Sequence, residues 1–127
     1  MDFMDETTVP LFRQIALLLE DSIVDGSLKV GERAPSTNEL AAFHQINPAT
    51  ARKGLSLLVD SGVLEKRRGI GMFVTEEASS IILRRRQEGF AAGFLVPLVD
   101  EAVKLGISRK DVQNLFEQIA ESRGLYK

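Results

Sequence analysis

Cysteine is absent from this 127-residue chain, which excludes a disulfide framework, a thiolate zinc site and a cysteine nucleophile. Histidine occurs once, as His44, too few for a His-rich metal site and for most His-dependent catalytic triads. The apolar runs are short: Ile15 to Leu19 falls far below the ~20 residues that span a bilayer. The opening Met1-Asp2-Phe3-Met4-Asp5-Glu6 is acidic, whereas a secretory signal begins basic and then turns apolar. No carboxylate pair, phosphate loop or nucleophile–base set stands out, so neither catalysis nor a cofactor nor a metal is expected. The expectation from these absences is a cytoplasmic, non-enzymatic protein without a membrane partner. What is present is 44% apolar and 27% charged residues, the balance of an ordinary folded chain. The length suits one domain, or a small domain with an appendage.

The formal net charge is −2, which by itself argues weakly against a nucleic-acid partner. Its distribution is more informative. Residues 1–32 carry two basic and seven acidic side chains, whereas residues 44–75 carry five basic (Arg52, Lys53, Lys66, Arg67, Arg68) and two acidic. A modest positive field is thereby confined to one segment.

Apolar spacing orders the chain into elements. Leu11, Ile15, Leu18, Leu19 and Ile23 form one stripe at intervals of three and four, predicting a helix over 8–26. Thr8 is its expected cap, Pro10 sits in its first turn, and Gly26 ends it. Leu28 and Val30 are expected to fold back onto it. A second helix is predicted over 36–45, opened by Ser36-Thr37-Asn38-Glu39, which has the form of a capping box. Leu40, Ala41 and Phe43 are expected on its buried side. A third helix over 47–61 starts at Asn47, a strong N-cap, with Pro48 at the first helical position. Ala51, Leu55, Leu58 and Val59 make its buried stripe; Ala49, Lys53 and Ser56 point away, with Thr50 and Arg52 on the flanks. Two strands, 63–67 and 72–75, then flank the turn Arg68-Gly69-Ile70-Gly71, a hairpin pattern. From Glu76 to about Leu105 the pattern is helical, with a kink expected near Pro97. A last helix is capped by Ser108 and carries Val112, Leu115, Phe116 and Ile119.

Two short helices joined by a tight turn, followed by a basic hairpin, have the form of a winged helix-turn-helix. A recognition helix must enter a major groove ~12 Å wide, so its leading residues are small or able to bond base edges. Pro48, Ala49 and Thr50 satisfy this, and Arg52 and Lys53 can reach phosphates or guanine. The unpaired N–H groups at the starts of the helices beginning at Ser36 and Asn47 are phosphate ligands. Arg67 and Arg68 beside Gly69 and Gly71 allow the hairpin's backbone to pass close to a duplex while arginine enters the minor groove.

On these residues the chain resembles the GntR family of bacterial transcription regulators. The matching set is Pro10-Leu11-Phe12 with Gln14-Ile15, Gly26-Ser27-Leu28, Gly31, Pro35-Ser36, Glu39-Leu40-Ala41, Asn47-Pro48-Ala49-Thr50, Leu55, Leu58, Gly62-Val63-Leu64, Arg67 and Gly69-Ile70-Gly71-Met72-Phe73-Val74. It covers about half the chain. The resemblance implies DNA contacts at Ser36, Thr37 and Asn38, at Asn47, Thr50, Arg52 and Lys53, and at the wing tip from Arg68 to Gly71. Where many members carry arginine this chain has Asn38, and Ala34 and Ala51 stand where many have a longer apolar residue. The expected fold is mainly α with a small β-hairpin wing: residues 1–75 a winged helix-turn-helix, residues 76–127 a two-helix dimerisation tail and possible effector region. The short tail is similar to that of the YtrA subfamily.

A tail of this length cannot enclose a core of its own. Its apolar face must be covered by the DNA-binding domain, by a second copy or by both. A two-fold homodimer is the commonest solution and suits a palindromic operator, so Ile82, Phe90, Phe94, Leu95, Leu98, Ala102, Leu115, Phe116 and Ile119 are the expected pairing residues. Phe90 and Phe94 are also candidates to line a pocket for a small-molecule effector, though core packing is the commoner role of such residues. Gly89-Phe90-Ala91-Ala92-Gly93 has a G-x-x-x-G pattern that permits close helix crossing. Arg84-Arg85-Arg86 reads as a solvated face, paired locally, for example Arg84 with Glu88. The function expected is a DNA-binding transcriptional repressor; the alternative is a winged-helix protein-interaction module that does not bind DNA, a reading the negative net charge keeps open.

Overall fold

The computed structural model describes residues 9–126. The expected cap Thr8 and the acidic start at Met1–Glu6 lie outside the described residues. The chain divides into two compact units, Met1–Arg86 and Gln87–Lys127.

In the first unit, three helices form a trihelical core: α1 (Leu11–Val24), α2 (Thr37–His44) and α3 (Pro48–Asp60). Ile15, Ala16, Leu19 and Ile23 of α1 meet Leu40 and Ala41 of α2 and Ala51, Leu55 and Leu58 of α3 in one buried cluster. Burial of this kind is the main stabilising term, ~25 cal/mol per Å² of apolar surface removed from water. Helix α1 enters through Pro10, whose carbonyl accepts the N–H groups of Arg13 and Gln14 at 3.0 and 3.1 Å. Leu28 packs against the cluster, but Val30 is more than half exposed and does not fold back.

The capping box of α2 is complete. The Glu39 N–H donates to Ser36 Oγ at 3.1 Å, and the Ser36 N–H donates to Glu39 Oε1 at 2.9 Å. These bonds hold the Glu39 carboxyl below the ordinary carboxylate range: the Ser36 backbone N–H acts most, then the Ser36 hydroxyl, with the Arg33 guanidinium adding to it. A lowered folded-state pKa contributes stability that is full above the unfolded value of 4.5 and is lost as pH falls through the folded value. Thermal melts at pH 7 and pH 3 are therefore expected to show a larger acid loss in the wild type than in Glu39→Ala; equal losses would mean that the box carries no stability.

Phe43 departs from expectation. It is 84% exposed, because the third inward position of α2 goes to His44, four residues on from Leu40, while Phe43 falls to the side. The two rings meet edge to face at 4.9 Å. The α2–α3 turn passes through Gln45 in the left-handed region, φ 54°, which reverses the chain within three residues.

Strands β1 (Leu64–Arg67) and β2 (Gly71–Val74) pair antiparallel, with Leu64 opposite Val74 and Arg67 opposite Gly71. A third extended segment, unexpected from the sequence, lies along β2. The Gly31 N–H donates to the Val74 carbonyl, Val74 N–H to Glu32, and Ala34 N–H to Met72 at 2.8–3.0 Å, and Arg33 bridges to Phe73. The hairpin is thus anchored on both edges of β2. Thr75 Oγ1 donates to the Gly62 carbonyl at 2.6 Å, fixing the strand ends to the exit of α3.

Helix α4 (Ala78–Glu88) contributes its residues up to Arg86 to the first unit, where Ala78 and Ile82 are fully buried in the core. Ile82 is thereby withdrawn from the expected pairing surface. The arginine run also departs from expectation. Arg85 and Arg86 bond not to local partners but to Glu20 of α1, which is 2% exposed, and Arg86 also meets Asp21 at 2.9 Å.

The second unit contains a π-helical turn (Ala91–Leu95), α5 (Val96–Leu105) and α6 (Arg109–Arg123). The irregularity expected at Pro97 falls one turn earlier. Proline has no N–H to donate back to residue 93, and the helix widens there, with the Val96 N–H reaching the Ala91 carbonyl five residues back. Among the described residues nothing lies within 4 Å of where a Cβ on Gly93 would stand, so the chain makes no close helix crossing there. Ser108 caps α6 by accepting the Asp111 N–H at 3.1 Å. Ala102 is buried, whereas Phe90, Phe94, Leu95, Leu98, Leu115, Phe116 and Ile119 are each more than two-fifths exposed. Among the described residues no helix is long and apolar enough to cross a membrane.

Candidate nucleic-acid interface

The leading half of α3 presents the side chains expected to meet DNA. Asn47 Oδ1 accepts the Ala49 N–H at 2.8 Å, capping the helix with one amide oxygen and leaving its –NH2 as the group it can offer. Pro48, Ala49, Arg52, Lys53 and Ser56 are exposed, Thr50 half-buried, and Ala51 fully buried. The outer edge is thus small at its tip and cationic behind it. At the start of α2, Ser36 and Asn38 are exposed and Thr37 half-buried, although the capping box already engages the Ser36 hydroxyl.

The cations are not equivalent. Among the described residues Arg52 and Arg68 make no ion pair and no ring contact, so both can meet a phosphate or base without first breaking a bond. The Lys53 ammonium sits 4.1 Å from the centre of the Phe12 ring, held toward α1 by a cation–π contact. Arg67 lies 4.3 Å over the Phe73 ring and 3.6 Å from Glu65, so it stiffens the hairpin rather than extending from it. Gly69 and Gly71 have φ of 76° and 141°, conformations that let the strand reverse. Sequence reasoning missed Arg33. Its guanidinium pairs with Glu39 at 3.1 Å, and its aliphatic stem lies where a Cβ on Gly71 would stand, 3.0 Å from its Cδ. It joins the start of α2 to the wing. Its position just ahead of Pro35-Ser36 was the one available signal.

A trihelical core with a capped, cationic helix after a tight turn, and a glycine-tipped hairpin behind it, defines a winged helix-turn-helix, the fold class of many DNA-binding regulators. The pattern that defines the bacterial regulatory proteins of the gntR family matches residues 11–74, and the chain belongs to this family. It is a DNA-binding transcriptional regulator, and its relatives bear the names of regulators rather than enzymes. It is 28% identical to the HTH-type transcriptional regulator YhcF of Bacillus subtilis, over 88% of this chain and 91% of that one. It is 30% identical to the HTH-type transcriptional repressor YtrA of Bacillus subtilis, over 61% of this chain and 59% of that one. A GntR-family regulator from Bacteroides thetaiotaomicron has the same fold, with a TM-score of 0.73 at 27% identity over 89% of this chain and 98% of that one.

Proposed function

We propose that the chain represses transcription in the cytoplasm by binding a palindromic operator as a homodimer. One α3 from each copy lies in each of two successive major grooves, and each wing lies on the adjacent minor groove. The observation that carries this reading is the exposed edge of α3, where Ala49 and the exposed Arg52 follow a capped N-terminus. Asn47, Pro48 and Thr50 complete the groove-facing end; Ser36, Thr37, Asn38 and Lys53 meet phosphates; Arg68, Gly69 and Gly71 form the wing contact. Repression is supported by the name of the similar YtrA repressor. Pairing is supported by the exposed Phe90, Phe94, Leu95, Leu98, Leu115, Phe116 and Ile119, large apolar side chains of the kind that a partner surface covers.

The test is fluorescence anisotropy on duplexes from the gene's upstream region, located by footprinting. Affinity is expected to fall steeply as salt rises, because bound phosphates release counterions. Arg52→Ala is expected to weaken specific binding by ~1–3 kcal/mol, and Lys53→Ala by less, since its ammonium is already engaged by Phe12. Salt-insensitive binding, or an unchanged affinity in Arg52→Ala, would overturn the assignment of α3. A monomer mass in sedimentation equilibrium would overturn the pairing.

A further inference from the structure

The hairpin tip carries an apolar side chain that the α3 reading does not use. Ile70 is 62% exposed. It lies in the three-residue loop between Arg67 and Gly71, where its N–H donates to the Arg67 carbonyl at 3.0 Å. The loop is stiffly held: Arg67 is stacked on Phe73, Gly71 rests on the stem of Arg33, and β2 is paired on both edges. Two side chains at the tip remain free to enter a groove, the cation Arg68 and the branched hydrocarbon Ile70. A β-branched side chain has few rotamers to lose, so its placement in a groove costs little entropy.

We propose that Ile70 is a specificity-determining residue, seated on the floor of the minor groove and favouring A·T over G·C at the base pair beneath the wing. This rests on the DNA-binding reading above and deepens it. The minor groove distinguishes the two pairs chiefly by the guanine N2 amino group, a donor that rises from the floor of G·C and is missing from A·T. A hydrocarbon laid on that amino group both meets it sterically and strips it of water without offering an acceptor. Over A·T the same side chain finds the adenine C2–H edge and the narrower groove, whose stronger negative potential also draws in Arg68.

The full-length wild type and Ile70→Ala are each used to select from a pool of random duplexes at one fixed salt concentration, and the selected duplexes are titrated by anisotropy. The wild type is expected to enrich a core beneath α3 together with A·T pairs flanking it. Changing the flanking A·T to G·C is expected to weaken wild-type binding about tenfold, within the range for a mismatched pair. Inosine·C, which keeps the major-groove face of G·C but lacks the amino group, is expected to restore it. Ile70→Ala is expected to enrich the same core, which reports that it is folded, and to bind A·T and G·C flanks within about twofold. A wild type indifferent to the flank, or an Ile70→Ala that keeps the full preference, overturns the role of Ile70 and leaves DNA reading intact. Failure of the wild type to enrich any core overturns the DNA-binding reading itself.

Discussion

Replacing both Arg85 and Arg86 with alanine is expected to lower the stability of the first unit by about 3 kcal/mol, read as a shift in urea midpoint at unchanged slope. Glu20 is 2% exposed and is bonded by both guanidinium groups. Removing the partners leaves a carboxylate without either guanidinium that bonds it, in a place that water barely reaches. The arginine side chains are themselves 49% and 37% exposed, so water enters where they stood, which keeps the loss toward the low end for a broken buried pair. Each single alanine variant is expected to lose less, since one guanidinium remains. Adding Glu20→Leu to the double variant is expected to recover most of the loss, because the penalty belongs to the orphaned charge rather than to the missing arginines. No recovery would mean that the arginine stems contribute mainly by packing.

The second large effect is expected at Gly54. Glycine inside a helix ordinarily costs ~1 kcal/mol against alanine, so on local grounds Gly54→Ala would stabilise α3. The tertiary structure reverses the sign. A Cβ on Gly54 would stand 2.9 Å from the Phe12 backbone oxygen and 3.3 Å from the Ile15 Cβ and Cγ2. The oxygen belongs to backbone within α1 and cannot swing aside, so the two helices must separate. A net loss of ~1–3 kcal/mol is expected, the usual cost of overpacking. Because the same displacement moves Phe12, the Lys53 contact is expected to loosen and non-specific DNA affinity to change with it. A variant more stable than the wild type would show that the α1–α3 approach is wider than this.

Much of the DNA-binding unit was legible in the sequence because it rests on local physics. Ser36 with Glu39 and Asn47 with Pro48 announce helix starts through bonds that span three residues or fewer, and both caps formed where expected. The stripe Ala51, Leu55, Leu58 follows from helical periodicity alone. The strands around Gly69 and Gly71 follow from the backbone conformations that glycine permits. The third segment on β2 was not legible, since Gly31 to Ala34 has no alternating pattern and pairs across some forty residues of chain. Phe43 and Ile82 were misplaced for a related reason. Apolarity indicates that a residue gains by burial, but not whether the neighbouring elements leave room for it, and Phe43 lost its place to His44 while Ile82 found one in the core of the first unit.

The sequence by itself determined the order of the elements, the two capped helix starts and the small, cationic outer edge of α3, because each depends on residues within a few positions of one another. Only the tertiary structure decided which charges are free to act. Arg33, Arg67, Arg85 and Arg86 are bound to carboxylates and Lys53 to an aromatic ring, while among the described residues Arg52 and Arg68 are left open. Glu20 and Arg85 stand 65 residues apart in the chain, and an ion pair at that separation depends on how α1 and α4 pack, which no local pattern of residues records.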